Sequence, residues 1–180
     1  MAEYQTTVNN LNVVRGSGKV EVAVYTAGNP SWVNVGAIKS LSVEENVTVS
    51  KEENDNADST DRINKQEVSI KFTQLELLNL DVWEVLRSTL DTIQQGSDTT
   101  KILSGNKTEI PVFMVRITTK NNGVPFYFMA YRCQMQKGFA FSFQKDDADD
   151  TRIQNPVEII GKTDSARDGL VWEIESVFNG

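Results

Sequence analysis

The sequence contains no histidine, and its only cysteine is Cys133. Histidine is the commonest general base and the commonest metal ligand, so its absence weighs against catalysis and against a metal centre. A lone cysteine forms no intrachain disulfide, which is typical of a chain made for a reducing compartment. Glycine-rich phosphate loops, the GxSxG elbow and the HExxH zinc motif are missing as well. We therefore expect no enzyme activity, no cofactor and no bound metal.

Basic residues and long apolar runs are also scarce. The 18 Lys and Arg residues stand against 25 Asp and Glu residues, giving a formal net charge of −7. Proteins that hold DNA phosphates are usually basic, so ordinary DNA binding is not expected. No stretch approaches the ~18 consecutive apolar residues of a membrane span, and no secretion-signal pattern is found at the N-terminus. The length predicts a single domain over residues 1–180.

Most of the chain alternates apolar and polar residues with a period of two, which predicts about eight β-strands. Residues 110–117 and 124–129 are apolar on both faces and predict buried strands, joined by a turn at 118–123 that contains Asn and Gly. The alternating apolar positions are Val20, Val22 and Val24; Leu41, Val43, Val47 and Val49; Val68, Ile70 and Phe72; Phe139, Phe141 and Phe143; and Leu170, Trp172 and Ile174.

Residues 79–94 change to the period of a helix, with Asn79 as a suitable N-cap. We therefore expect a mainly β fold, an antiparallel β-sandwich or half-barrel with one flanking α-helix and a long protruding β-hairpin. The apolar positions of this helix are Val82, Val85, Leu86, Leu90 and Ile93.

The predicted hairpin, residues 37–74, has one polar and one apolar face. A sheet that is wet on one side alternates in this way. The polar face consists of Ser42, Glu44, Asn46, Thr48, Ser50, Lys65, Glu67, Ser69, Lys71 and Thr73. The apolar face consists of Leu41, Val43, Val47, Val49, Val68, Ile70 and Phe72.

The two strands of this hairpin are joined by an acidic segment, residues 51–62, which we expect to be a mobile loop. It is either a dispensable solvated loop or a segment that becomes ordered against another subunit. A calcium loop is not expected, because the segment has no glycine and lacks the ligand spacing of an EF-hand. Its charged residues are Lys51, Glu52, Glu53, Asp55, Asp58, Asp61 and Arg62.

Two sets of residues bear on a catalytic role. Glu44 and Glu67 could face each other across the hairpin as the carboxylate pair of a glycosidase. Cys133 lies in a strand pattern with no histidine to activate it, so a buried structural thiol is the better interpretation. An acidic cluster at 146–150 predicts a solvated loop.

The order of these elements resembles the major tail protein, or tail tube protein, of long-tailed bacteriophages and the related tubes of phage-like contractile particles and type VI secretion. The stretches that carry the resemblance are 32–50, 68–90 and 138–162. They are similar to the strand, loop and helix blocks of that family, and together they span most of the chain.

The resemblance implies a structural subunit of a virion tail tube, assembled in the host cytoplasm. In that family the hairpins of six subunits join edge to edge into a barrel, and the hexameric rings stack. The apolar face of each hairpin would then pack on the core of its subunit. The polar face would face a lumen through which DNA passes without specific binding. The segment 51–62 would lie between stacked rings, and the arm 1–17 is a second candidate for that contact.

The implied partners are other copies of the chain, a tape-measure protein, tail tip or baseplate proteins, tail-terminator proteins and, in a contractile tail, a sheath. Three alternatives stay open. The chain could be a tail-terminator or baseplate structural protein, or the tube of a phage-like contractile injection particle. It could also be a stand-alone β-sandwich with a binding or hydrolytic role.

Overall fold

The computed structural model describes residues 18–52, 60–75, 79–87, 91–95, 100–104, 109–121, 124–138, 142–145 and 151–176. The predicted arm 1–17, the middle of the acidic segment, the 139–141 part of a predicted strand and the acidic cluster 146–150 lie outside these residues. In chain order the elements are β1 (Lys19–Val24), β2 (Val33–Asn34), β3 (Ile38–Glu52), β4 (Thr60–Gln74), α1 (Leu80–Arg87), β5 (Asp91–Gln95), β6 (Thr100–Ser104), β7 (Phe113–Asn121), β8 (Val124–Met135), β9 (Ser142–Lys145), β10 (Thr151–Lys162) and β11 (Trp172–Ser176).

Nine of the described strands form one antiparallel sheet. Its order is β2-β1-β7-β8-β10-β4-β3, with β11 added to β8 and β9 added to β10. β5 and β6 form a separate two-stranded ribbon. The predicted mainly β fold with antiparallel pairing and a flanking helix is confirmed.

The main hydrophobic core lies on one face of this sheet. Val20 and Val22 of β1 are fully buried there, as the alternation predicts, together with apolar residues of β4, β7, β8 and β10. Helix α1 covers this face with Val82, Val85 and Leu86. Complete burial of a Val or Ile side chain stabilises the fold by about 1.5–3 kcal/mol. The core therefore fixes which face of each strand points inward.

The apolar strands β7 and β8 form the predicted hairpin. Asn121 pairs with Val124 across the turn, and the ladder continues to Phe113 and Cys133. β8 runs on to Met135, where it pairs with β10. This longer strand joins the N-terminal half of the sheet to the half that carries the long hairpin.

The helix prediction is correct at its start and wrong at its end. Asn79 caps α1, because its Oδ1 accepts a hydrogen bond from the backbone N–H of Val82 at 3.4 Å. The helix ends at Arg87, and Asp91–Gln95 is a strand paired with Thr100–Ser104. The segment beyond Arg87 contains Ser, Thr, Asp and the β-branched Ile93, which have low helix propensity. Its ladder with β6 supplies the backbone bonds that a longer helix would have made.

A second, smaller cluster lies on the face opposite α1. Ala23, Met114 and Tyr131 are buried in it. Beside it, Glu21 is only 7% exposed and forms ion pairs with Lys19 at 2.7 Å and Arg116 at 2.9 Å. Burial alone would raise the pKa of Glu21, but the hydrogen bonds and charges of Lys19 and Arg116 outweigh it and hold that pKa below its usual value.

The turn between β10 and β11 is held by a buried carboxylate. Asp164 is 1% exposed, and its Oδ1 accepts hydrogen bonds from the Tyr25 hydroxyl at 2.8 Å and from the Ala166 N–H at 3.1 Å. Arg167 donates to the backbone oxygen of Thr26 at 3.1 Å. These bonds tie the turn to the end of β1, so that β11 continues along β8 where β10 stops.

A glycine on β10 lets β4 pack closely on the sheet. A Cβ at Gly161 would lie 2.6 Å from Cγ1 of Val68, a buried core residue, whereas a Cβ at Gly138 would meet nothing within 4 Å. We expect Gly161→Ala to lower the free energy of unfolding by about 1–3 kcal/mol through overpacking. Gly138→Ala should change it by less than about 0.5 kcal/mol. Urea unfolding of both variants checks this, and equal midpoints would contradict it.

The lowered pKa of Glu21 predicts a pH dependence of stability. A depressed folded pKa contributes stability that is present above the unfolded value, about 4.3 for Glu, and is lost as the pH falls through the folded value. Glu21→Gln should therefore be less stable than wild type at pH 7, and the difference should shrink as the pH falls below about 4. Urea unfolding at a series of pH values measures it. Glu84→Gln, at an exposed position of α1, is the control, and a difference for Glu21→Gln that is constant with pH would refute the assignment.

Candidate functional site

The long hairpin of β3 and β4 brings the predicted polar residues onto one face. In an antiparallel ladder, residues that pair directly lie on the same side of the sheet. The register shows such pairs along the hairpin: Ser42 with Lys71, Glu44 with Ser69, Asn46 with Glu67, Thr48 with Lys65, Ser50 with Arg62, and Lys39 with Thr73. All ten predicted residues therefore share the polar face. That this face lines a lumen remains a prediction.

The apolar face is buried only at the base of the hairpin. Val68, Ile70 and Phe72 are at most 3% exposed and lie in the main core, with Leu41 packed against them. The prediction that the whole face packs on the core is wrong for three valines. Val43, Val47 and Val49 are 41%, 45% and 51% exposed, and Ile63, which pairs with Val49, is 62% exposed.

Val47, Val49 and Ile63 are exposed because the hairpin extends beyond its own sheet, whereas Val43 pairs with the buried Ile70 within the base and lies on the edge strand β3. β4 pairs with β10 only from Val68 to Gln74, whereas its ladder with β3 continues to Thr60. At about 3.4 Å per residue, the eight residues from Val68 to Thr60 carry the hairpin roughly 27 Å past that point. Beyond Val68, no described strand other than β3 pairs with β4.

The acidic segment is partly strand. Lys51 pairs with Asp61 and Glu52 with Thr60, so the ladder enters the predicted loop from both ends. That the segment 51–62 is mobile stays a prediction. Glu53, Asp55 and Asp58 lie outside the described residues.

A bulge sets the orientation of the hairpin. The pairing shifts between Lys39 and Ser42, so β3 contains one residue more than β4 at this point. Ser40 takes up the extra length with a positive φ of 57°. Such a bulge bends its strand and increases the local twist. Ile38 and Leu41, three residues apart, therefore both pack on the core.

Glu45 braces the hairpin against the body of the protein, a role that the sequence did not reveal. Its Oε1 accepts hydrogen bonds from Gln66 Nε2 at 2.6 Å and from Trp172 Nε1 at 2.9 Å. These bonds, first that of Gln66 and then that of Trp172, hold the pKa of Glu45 below its usual value. Trp172 in turn stacks on Phe128 with ring centroids 5.8 Å apart. In the sequence, Glu45 only interrupts an apolar alternation.

A charge cluster lies at the base of the polar face. Glu158 forms ion pairs with Lys137 at 2.8 Å and Lys71 at 3.3 Å. The hydrogen bond from Lys137 lowers the pKa of Glu158, and Lys71 acts in the same direction against the opposing effect of burial. A shallow depression of about 370 Å³ lies between these residues, and Ser40 and Pro156 are part of its lining. Further out, Lys65 pairs with Glu67 at 2.9 Å.

The two catalytic candidates, Cys133 and the pair of Glu44 and Glu67, lie in different surroundings. Cys133 is fully buried, its Sγ donates to the carbonyl of Ala130 at 3.5 Å, and burial raises the pKa of its thiol. Glu44 and Glu67 share the polar face on neighbouring rungs, but Glu67 is ion-paired with Lys65. No group of three or more potential metal ligands occurs among the side chains that the structure describes. None of the helices in the described part is long and apolar enough to span a membrane.

Among solved structures, the chain is similar to a chain in a structure described as the cryo-EM structure of the anti-feeding prophage (AFP) baseplate, 6-fold symmetrised. The TM-score is 0.47 at 11% sequence identity, and the match covers 91% of this chain and 95% of that chain. A scan against protein-family models and a search of curated proteins gave no match. The functional proposal therefore depends on the geometry of the hairpin.

The contact between Glu45 and Trp172 predicts a local effect of mutation. Glu45→Ala removes the acceptor for both Gln66 and Trp172, so the hairpin should open more often from its base. We expect amide hydrogen exchange in β3 and β4 to become at least about threefold faster. Glu44→Ala, one residue away on the opposite face, is the control and should leave exchange unchanged. Equal exchange in the two variants would show that Glu45 does not brace the hairpin.

Proposed function

We propose that this chain is a structural subunit of a phage-like particle, which joins copies of itself through the long hairpin into a closed ring of six, and that such rings build a tail tube. The observation that carries the proposal is the hairpin that extends roughly 27 Å beyond its own sheet, polar on one face and uncovered on the other. The sequence resemblance to tail tube proteins supplies the kind of assembly.

The uncovered apolar residues support an interface at this place. Val47, Val49 and Ile63 adjoin one another on one face of the protruding hairpin and are between 45% and 62% exposed. Contiguous apolar surface on a protruding element is typical of a protein interaction site. Because the opposite face is polar, a partner can cover the apolar side while the polar side stays in water.

The free edges of the hairpin support a second copy as the partner. β3 is at the end of the sheet order, and the part of β4 before Val68 is paired only with β3, so within the described strands each side of the outer hairpin has an unpaired edge. If the β3 edge of one copy pairs with the β4 edge of the next, the contact is heterologous and can close into a ring. Closure removes edges that would otherwise favour uncontrolled aggregation.

In this proposal the polar face lines the lumen, through which DNA or another cargo passes, and the chain has no catalytic role. The particle would supply a tape-measure protein, tail tip or baseplate proteins and terminator proteins as further partners. A place in the baseplate or terminator layer, or in the tube of a contractile injection particle, would use the same hairpin contact. A baseplate layer would form single rings and a tube would form stacks.

The ring contact can be tested with substitutions that leave the monomer fold intact. Val47→Asp with Val49→Asp places charges on the exposed apolar face and should abolish rings, because two carboxylates would be buried at the interface. Thr48→Asp, between them on the polar face, should assemble like wild type. Sedimentation velocity and negative-stain electron microscopy measure assembly, and urea unfolding confirms the fold. Rings formed equally well by the double variant would refute the hairpin contact.

A further inference from the structure

The last strand of the main sheet has one edge without a partner among the described strands. β11 (Trp172–Ser176) pairs with β8 between Ala130 and Phe126, and no other described strand pairs with it. β10 pairs with the same edge of β8 only as far as Lys162, which lies opposite Arg132. β11 therefore continues the line of β10 along β8, and its outer edge is open.

The outer part of β4 is also open on the side that β10 occupies at the base of the hairpin. β4 pairs with β10 from Gln74 to Val68, whereas its residues 60–67 pair only with β3. The indole Nε1 of Trp172 donates to Glu45 at 2.9 Å and so joins the start of β11 to the base of the hairpin. A strand that extended the sheet from β11 would therefore lie on the side of the outer hairpin, between two unpaired edges.

The side of β11 that faces the core carries an uncovered apolar residue. Ile174 pairs with Phe128, which packs on the main core, yet Ile174 itself is 53% exposed. Ile63, on the apolar face of the outer hairpin, is uncovered as well. Because side chains alternate along a strand, an added strand would cover these residues if every second side chain were apolar.

The opposite side of β11 is acidic. Glu173 and Glu175 lie on the face away from α1, where Met129 packs on the smaller cluster. Glu173 accepts a hydrogen bond from Tyr131, and neither glutamate forms an ion pair with the side chains that the structure describes. Basic side chains at the remaining positions of an added strand would lie beside these carboxylates.

We propose that the open edge of β11 binds an extended segment of another protein, in which apolar and basic residues alternate, as an added strand. Main-chain hydrogen bonds along the edge supply affinity, and the two sides of the edge select the side chains. A second β11 does not fit this position, because Glu173 and Glu175 of each copy would lie beside those of the other. The charge of the edge thus disfavours pairing with itself and favours a basic partner. This contact does not depend on the proposed ring.

Short labelled peptides test the edge with the full chain. A peptide in which valine and lysine alternate should bind at least about tenfold more tightly than one in which valine and glutamate alternate, as measured by fluorescence anisotropy. A peptide of the same composition with all valines before all lysines has the same charge but cannot place the two residue types on separate sides of a strand. It should bind at least about tenfold more weakly than the alternating peptide. Amide exchange in β11 should slow when the alternating valine–lysine peptide is bound.

Two variants at exposed positions of β11 locate the binding. Glu175→Lys should weaken binding of the valine–lysine peptide at least about threefold and strengthen binding of the valine–glutamate peptide. Ile174→Asp should weaken binding of both peptides, because it places a carboxylate against their valines. Glu84→Lys, at an exposed position of α1, changes the net charge as much as Glu175→Lys does and should bind like wild type. Urea unfolding confirms the fold of each variant.

The outcomes separate this partner from the other occupants of the edge. Equal binding of the alternating and the rearranged valine–lysine peptides, or a Glu175→Lys variant that binds like Glu84→Lys, overturns the proposal. Protection from exchange that is confined to strands other than β11 overturns it as well. Self-association of the wild type that Ile174→Asp abolishes, together with no peptide binding, would identify a second copy as the occupant and also overturn it. Because the peptide assay requires no ring, a wild type that forms no rings leaves its result unchanged.

Discussion

The rest of the architecture depends on the pairing of β4, which pairs with β3 along its whole length and with β10 over only half of it. From Val68 to Gln74, β4 lies between β3 and β10, and its apolar side chains are buried in the core. Before Val68 it has only β3 beside it, and the same alternation continues into solvent. A single strand pair is marginally stable by itself, so the outer hairpin depends on its buried base and on the contact of Glu45 with Trp172.

Much of this fold follows from local patterns in the sequence. Period-two alternation identified β1, β3, β4 and β11, and the paired apolar runs identified the β7–β8 hairpin, because side-chain direction in a strand depends only on sequence position. The ten residues of the polar face were assigned to one side correctly for the same reason. The helix was placed too far because Leu90 and Ile93 fit the helical spacing, whereas ribbon pairing with β6 decided the structure of Asp91–Gln95.

The site was harder to predict than the fold. The extent of the pairing between β4 and β10 decides how much of the hairpin lies beyond the sheet. This pairing joins strands that are distant in the sequence, so the local alternation of residue types does not reveal it. The role of Glu45 depends on Trp172, 127 residues later in the sequence.

The bulge at Ser40 determines which side of β3 carries the polar residues and which side carries the apolar residues. Because successive side chains alternate, one additional residue exchanges the two sides of everything that follows. Lys39 and Leu41 would share a side in a regular strand, yet Lys39 pairs with Thr73 on the polar side and Leu41 packs on the core. A single non-glycine residue in a left-handed conformation, Ser40, therefore determines which side of the outer strand faces water.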